Sequence, residues 1–160
     1  MASMTLFCLG KLKEPFYSKA AAEYQKRLGA FGQFQIVELP EYRLPDNPSE
    51  AQIQMGLKKE ADMVRAKLPK GCWLCVFTPE GKSVTSEELA HTVKQARLGG
   101  KSHLCFLIGS SYGMDARLKT EADCQISLSK MTFPHHLARV MVLEQLYRAE
   151  SILSGSAYHK

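Results

Sequence analysis

The residues best able to do chemistry lie near the C-terminus. They are the stretch SLSKMTFPHHLARV, residues 127–140, and the terminal Tyr158, His159 and Lys160. A small polar run, Ser127 to Thr132, separates two apolar segments there. Pro134 in a first helical turn explains it as a helix start. A ligand pocket explains it equally well. His135 and His136 raise the question of a metal. Neighbours on a helix point about 100° apart, so they do not converge on one ion. No adjacent carboxylate or cysteine completes a ligand set, and no metal is expected.

A second candidate is Gly109-Ser110-Ser111-Tyr112-Gly113. Two glycines let backbone come close to a ligand and offer N–H groups to it. A tight strand-to-helix turn accounts for the same residues. Other chemistries lack their motifs. There is no GxGxxG after the first strand, no GxxxxGK[ST] and no GxSxG, which removes a dinucleotide fingerprint, a P-loop and a nucleophile elbow.

Cys72 and Cys75 form a CxxC, which elsewhere signals redox or zinc chemistry. Here they fall in GCWLCVFTP, which reads as a strand. An offset of three then puts the thiols on opposite faces. With Cys8, Cys105 and Cys124 the count is five. An odd set inside apolar runs suits free thiols of a reducing compartment. A flavodoxin-like redox domain would have only this CxxC to support it.

These residues need elements to position them. Strands are expected at 4–10, 34–40, 72–78, 102–109 and 124–129. Helices are expected at 14–29, 50–68, 86–100, 115–122 and 134–153. Strand and helix alternate, which predicts an α/β fold with a mostly parallel sheet flanked by helices. Ligands of such sheets bind beyond the carboxyl ends of the strands. Both candidate stretches, and Phe77 to Lys82, fall at such ends. The last helix is apolar over more than one stripe, which points to a homodimer interface or a deeply packed core helix. Glu144 and Arg148 have the i,i+4 spacing of an ion pair.

The chain has 160 residues, 45% of them hydrophobic, and a net charge of +5. That suits one domain, residues 1–160, with a sizeable core. The N-terminus lacks a basic n-region before an apolar run, so no signal peptide is expected. No apolar run is long enough for a bilayer span. A cytoplasmic protein is expected. The basic balance permits a polyanionic partner such as RNA. Lys11, Lys13, Lys19, Lys26 and Arg27 make the best basic patch, although a solvated helix face explains them too.

Together, LIGSSYG (107–113), SLSKMTFPHHLARV (127–140), EQLYRA (144–149) and the terminal AYHK (157–160) resemble the RlmH family. These are SPOUT-class methyltransferases of 23S rRNA. The opening CLGKLKEPFYSKAAAEYQKRLG resembles them also, so the likeness spans the chain. It implies a C-terminal trefoil knot, S-adenosyl-L-methionine as cofactor and a homodimer. It implies cofactor contacts at Phe77, Gly109, Leu128, Ser129, Lys130, Met131, Thr132 and Phe133. It implies methylation at N3 of pseudouridine 1915 in 23S rRNA, on the assembled 70S ribosome. Tyr158, His159, Lys160 and Arg139 would then be catalytic. His159 or Tyr158 would orient or deprotonate the base, and Lys160 and Arg139 would engage phosphate or base. Lys160 stands where some members carry Arg. A non-catalytic ribosome-binding module with the same fold, or a methyltransferase for another RNA site, is the alternative.

Overall fold

The computed structural model describes residues 3–160. Its elements are β1 (Ser3–Leu9), α1 (Pro15–Leu28), β2 (Gln33–Leu39), α2 (Glu50–Lys67), β3 (Trp73–Ser83), α3 (Ser86–Leu98), β4 (His103–Ile108), α4 (Ala116–Glu121), β5 (Cys124–Ser127) and α5 (His135–Ser154). A short 3-10 turn, Gly29–Phe31, follows α1. The five strands form one sheet in the order β2-β1-β4-β3-β5, and neighbouring strands run parallel. The expected α/β architecture is borne out.

Alternation along each strand builds two cores. Leu6, Cys8, Cys75, Phe77, Leu104, Phe106 and Ile108 face one side. They pack there with residues of α1, α3 and α5 such as Ala21, Val93, Val142 and Leu146. Phe7, Leu9, Leu74, Val76, Cys105 and Leu107 face the other side, against Ala61 and Val64 of α2 and Leu118 of α4. Every strand buried on both faces reads as a continuous apolar run for this reason. Cys75 belongs to the first core, while Cys72 packs against the second, so the CxxC thiols lie on opposite sides of the sheet. All five cysteines are free.

Helix starts follow local chemistry. Ser49 and Gln52 form a capping box ahead of α2, and the Thr85 side chain accepts from Glu88 N at the start of α3. Pro134 precedes α5 directly.

β3 departs from the expected strand, which ended at residue 78. It continues to Ser83, with a break in register: Phe77 and Lys82 both pair with Ile126 of β5. The extra residues bulge out between these two pairings and return. Gly81 makes the return possible. A Cβ there would lie 2.6 Å from the Ile126 carbonyl carbon and 2.8 Å from its nitrogen. Only a residue without a side chain passes so close to another backbone.

Candidate active site

Three adjacent strand ends define the site. β4, β3 and β5 lie side by side, and the segment after each opens on one cavity of about 1000 Å³. Phe77 to Glu80 come from β3, Ile108 to Met114 follow β4, and Ser127 to Pro134 link β5 to α5. All eight residues expected to hold a cofactor line it: Phe77, Gly109, Leu128, Ser129, Lys130, Met131, Thr132 and Phe133.

Each segment is fixed by a local device. After β4 the chain folds back on itself. Ser110 N donates to Gly113 O at 3.1 Å and Gly113 N to Ser110 O at 2.9 Å. Gly113 has φ +99°. A Cβ on Gly109 would lie 2.4 Å from Gly113 O, so this turn needs glycine at both ends. In the β5–α5 segment, Ser127 Oγ donates to Ser129 O at 3.0 Å and Met131 N donates to Ser129 Oγ at 3.0 Å. Those two bonds curl the loop and leave its outer face open.

The walls are apolar side chains interleaved with backbone: Leu57, Phe77, Ile108, Leu128, Met131 and Phe133. Among the described residues, the N–H groups of Lys130, Thr132 and Phe133 have no acceptor within the protein. A flat heteroaromatic ring between apolar walls, hydrogen-bonded by backbone, suits such a set. At the rim Glu80 pairs with Lys119. That bond holds the Glu80 carboxyl below its ordinary pKa. Gln54 and Leu57 of α2 and Lys119 of α4 escaped the sequence reading as lining residues. They reach the cavity from distant positions with no local motif.

The other expected residues lie elsewhere. Tyr158, His159 and Lys160 do not line the cavity. The tail folds back onto α5 and the start of α3. Tyr158 donates from its hydroxyl to Glu144 Oε2 at 2.5 Å, and its ring lies 4.7 Å from both the Tyr147 ring centre and the Arg148 guanidinium. This bond to a carboxylate is the main reason its pKa is pushed up to about 12. Tyr158 therefore stays a hydrogen-bond donor near neutral pH and does not serve as a base there. Arg148 holds Glu144 through Nε at 3.0 Å and Nη2 at 3.2 Å, which is the i,i+4 pair read from the spacing. Lys160 is exposed.

Arg139 requires a correction. It is 2% exposed. Its Nη1 contacts Glu38 Oε2 at 2.5 Å and its Nη2 donates to Gly10 O at 2.9 Å. The guanidinium ties α5 to the ends of β1 and β2, and it is not presented to a phosphate or a base. The two histidine rings touch edge to face, 4.2 Å between centres, and each has its own carboxylate neighbour. His135 Nε2 lies 3.2 Å from Glu41, and His136 Nδ1 lies 3.4 Å from Glu14. Burial, then the neighbouring His136, pulls the His135 pKa down.

A parallel α/β sheet with a cavity at three adjacent strand ends places the site where ligands of this class of fold bind. Comparison with known proteins narrows it. The family described as "Predicted SPOUT methyltransferase" matches residues 2–159. The chain is 41% identical over 157 residues to "Ribosomal RNA large subunit methyltransferase H" of Acetivibrio thermocellus, covering 98% of this chain and 99% of that one. It is 41% identical over 155 residues to the protein of the same name from Lactococcus lactis subsp. cremoris, covering 97% and 98%. Among solved structures, the tRNA (m1G37) methyltransferase of Aquifex aeolicus superposes with a TM-score of 0.54 at 16% identity, over 91% of this chain and 69% of that one. The last likeness concerns the fold. The chain belongs to the SPOUT methyltransferase family, and the resemblance to RlmH proteins read from its motifs is borne out.

Proposed function

We propose that this methyltransferase transfers the methyl group of S-adenosyl-L-methionine to N3 of pseudouridine 1915 in 23S rRNA, on the assembled 70S ribosome in the cytoplasm. The observation that carries this reading is that all eight expected cofactor residues line one cavity. The cavity fits the cofactor: apolar walls for the adenine, and free backbone N–H groups for its ring nitrogens. The cofactor supplies an electrophilic methyl on a sulfonium. When bound, it would give up that methyl to the imide nitrogen and leave as the neutral thioether, the imide proton passing to a base or water. No metal is required. The protein contributes alignment of nitrogen, carbon and sulfur, and exclusion of water.

The reading includes a homodimer. The tail sits on α5 at Glu144 and Arg148, while the cavity meets α5 at His135 and Ala138. Those positions are about 9–20 Å apart along the helix axis. A second copy brings its Tyr158, His159 and Lys160 to the cavity of the first. Leu137, Val140 and Met141 of α5 are only half-buried in the single chain and supply the apolar contact. Threading of the C-terminal segment as a trefoil knot belongs to the same reading, and the close crossing of Gly81 over β5 supports it. Among the described residues, no helix is long and apolar enough to cross a membrane.

The test is transfer of labelled methyl from S-adenosyl-L-methionine to 70S ribosomes lacking the modification, with 50S subunits and free rRNA in parallel. Label mapped to one pseudouridine of the 70S sample supports the reading. No label on any RNA, with cofactor binding intact, refutes this substrate.

A further inference from the structure

A second cavity, of about 780 Å³, lies beside the first. Leu57, Ser110 and Tyr112 line both. It is more polar than its neighbour, and five charged side chains line it: Lys13, Arg43, Glu41, Asp46 and Glu60. Glu60 is the unusual member. It is only 5% exposed. Its Oε2 accepts from Tyr42 N at 2.9 Å, but its Oε1 is buried with no hydrogen-bonding partner.

A buried carboxylate oxygen left without a donor is costly, and native proteins keep few of them. The local structure insists on it. Gly56, one helical turn earlier in α2, lets the 41–48 loop close down: a Cβ there would lie 3.2 Å from the side chains of both Tyr42 and Leu44. That contact delivers Tyr42 N to Glu60. Burial pushes the Glu60 pKa up, partly offset by the Tyr42 N–H bond; the Ser110 hydroxyl is near enough to lower it further but is not placed to satisfy Oε1. The arrangement lacks one cationic or N–H donor beside Ser110, the residue that follows Gly109 in the cofactor wall.

Two chemistries compete for this place. A nucleotide phosphate would use Lys13 and Arg43, but three carboxylates also line the cavity and repel a polyanion. A zwitterion meets both signs at once. We propose that this second cavity receives the α-amino-acid end of the sulfonium cofactor, with Glu60 accepting its ammonium group and Arg43 and Lys13 facing its carboxylate. The nucleoside then occupies the first cavity, and the chain of the cofactor runs past Ser110 and Tyr112. Glu60 is here a binding residue and takes no part in the transfer. The inference rests on the cofactor assigned under the proposed function.

The test compares two ligands by calorimetry on the full chain. S-Adenosylhomocysteine carries the amino-acid end, and 5′-methylthioadenosine lacks it. In the wild type, S-adenosylhomocysteine should bind at least about tenfold tighter, the scale of one charge-assisted hydrogen bond. Glu60→Gln should remove most of that advantage and leave methylthioadenosine affinity within about twofold. Arg43→Ala, at an exposed position, should act in the same direction. Equal weakening of both ligands by Glu60→Gln, or no weakening of either, overturns the proposal. Failure of the wild type to bind either ligand overturns the cofactor reading itself.

Discussion

Arg148 Nη1 lies 3.1 Å from His159 Nδ1, and the other ring nitrogen, Nε2, lies 2.6 Å from Glu87 Oε1. A guanidinium only donates and a carboxylate only accepts. Nδ1 is therefore placed to accept from Arg148 and Nε2 to donate to Glu87. Arg148 also holds Glu144, which holds Tyr158. The tail is thus fastened by one network, Glu87–His159–Arg148–Glu144–Tyr158, that spans α3 and α5. Deleting residues 158–160 should lower methyl transfer at least about a hundredfold, the usual range for losing positioned polar groups. Cofactor affinity should stay within twofold, since none of the three lines the cavity. Transfer rates and calorimetry on one truncated protein check both halves.

Tyr158→Phe separates donor from base. The phenol pKa stands at about 12 because the hydroxyl donates to Glu144. It bears the same proton from pH 6 to 10. The substitution should reduce the rate yet leave the shape of the pH–rate profile unchanged over that span. A lost basic limb in the variant would overturn this assignment.

Gly81→Ala should destabilise the protein by about 1–3 kcal/mol, because a backbone crossing cannot yield the way a flexible side chain can. For a chain of this size that is roughly 3–10 °C in thermal midpoint. The mutated position does not line the cavity, so whatever protein remains folded should bind cofactor with ordinary affinity.

The architecture and the loops at the strand ends were legible in the sequence because both rest on local patterns. Continuous apolar runs marked the buried strands, and glycine and serine at strand ends marked the loops of the cavity. The motif likeness then supplied Leu128 to Phe133 as a set. What sequence could not show is pairing between distant residues. Arg139 was expected to engage phosphate or base only through the family resemblance, and nothing nearby in sequence indicated a structural role. Its partner, Glu38, is 101 positions away on a parallel strand. The length of β3 failed for a related reason: Pro79 and Gly81 signal an end to a strand, and only the crossing over β5 explains why pairing resumes beyond them.

Arg139→Lys should cost about 2 kcal/mol, roughly 4–8 °C, with no change in the salt dependence of RNA binding. A lysine offers one point of charge where two separate acceptors, Glu38 and Gly10 O, need a fork. The figure sits below that for a fully buried pair because the Glu38 side chain is 35% exposed. Thermal melts and filter binding across a salt series test the two statements together.

Glu60 gives a stability that depends on pH. Its folded pKa is raised by burial. A carboxyl shifted upward favours the folded state only while protonated, so its contribution is full below the unfolded value and is lost as pH rises through the folded one. Glu60→Gln mimics the protonated form. Its thermal midpoint should match the wild type near pH 4 and exceed it at pH 8. A gap that shrinks with rising pH would contradict the buried, donor-poor carboxylate described above. Melts at several pH values decide it.

The wall of the cavity is built from the ends of three neighbouring strands, and so from three segments far apart along the chain. A bound ligand therefore acts as a clasp between parts that otherwise open independently. Saturating cofactor, at about a hundred times its dissociation constant, adds some 2.7 kcal/mol to the folded state. That gain is shared by the three loops as one cooperative unit. Amide exchange at Thr78, Glu80 and residues 110–114 and 128–133 should slow together on cofactor binding and quicken together when the product leaves.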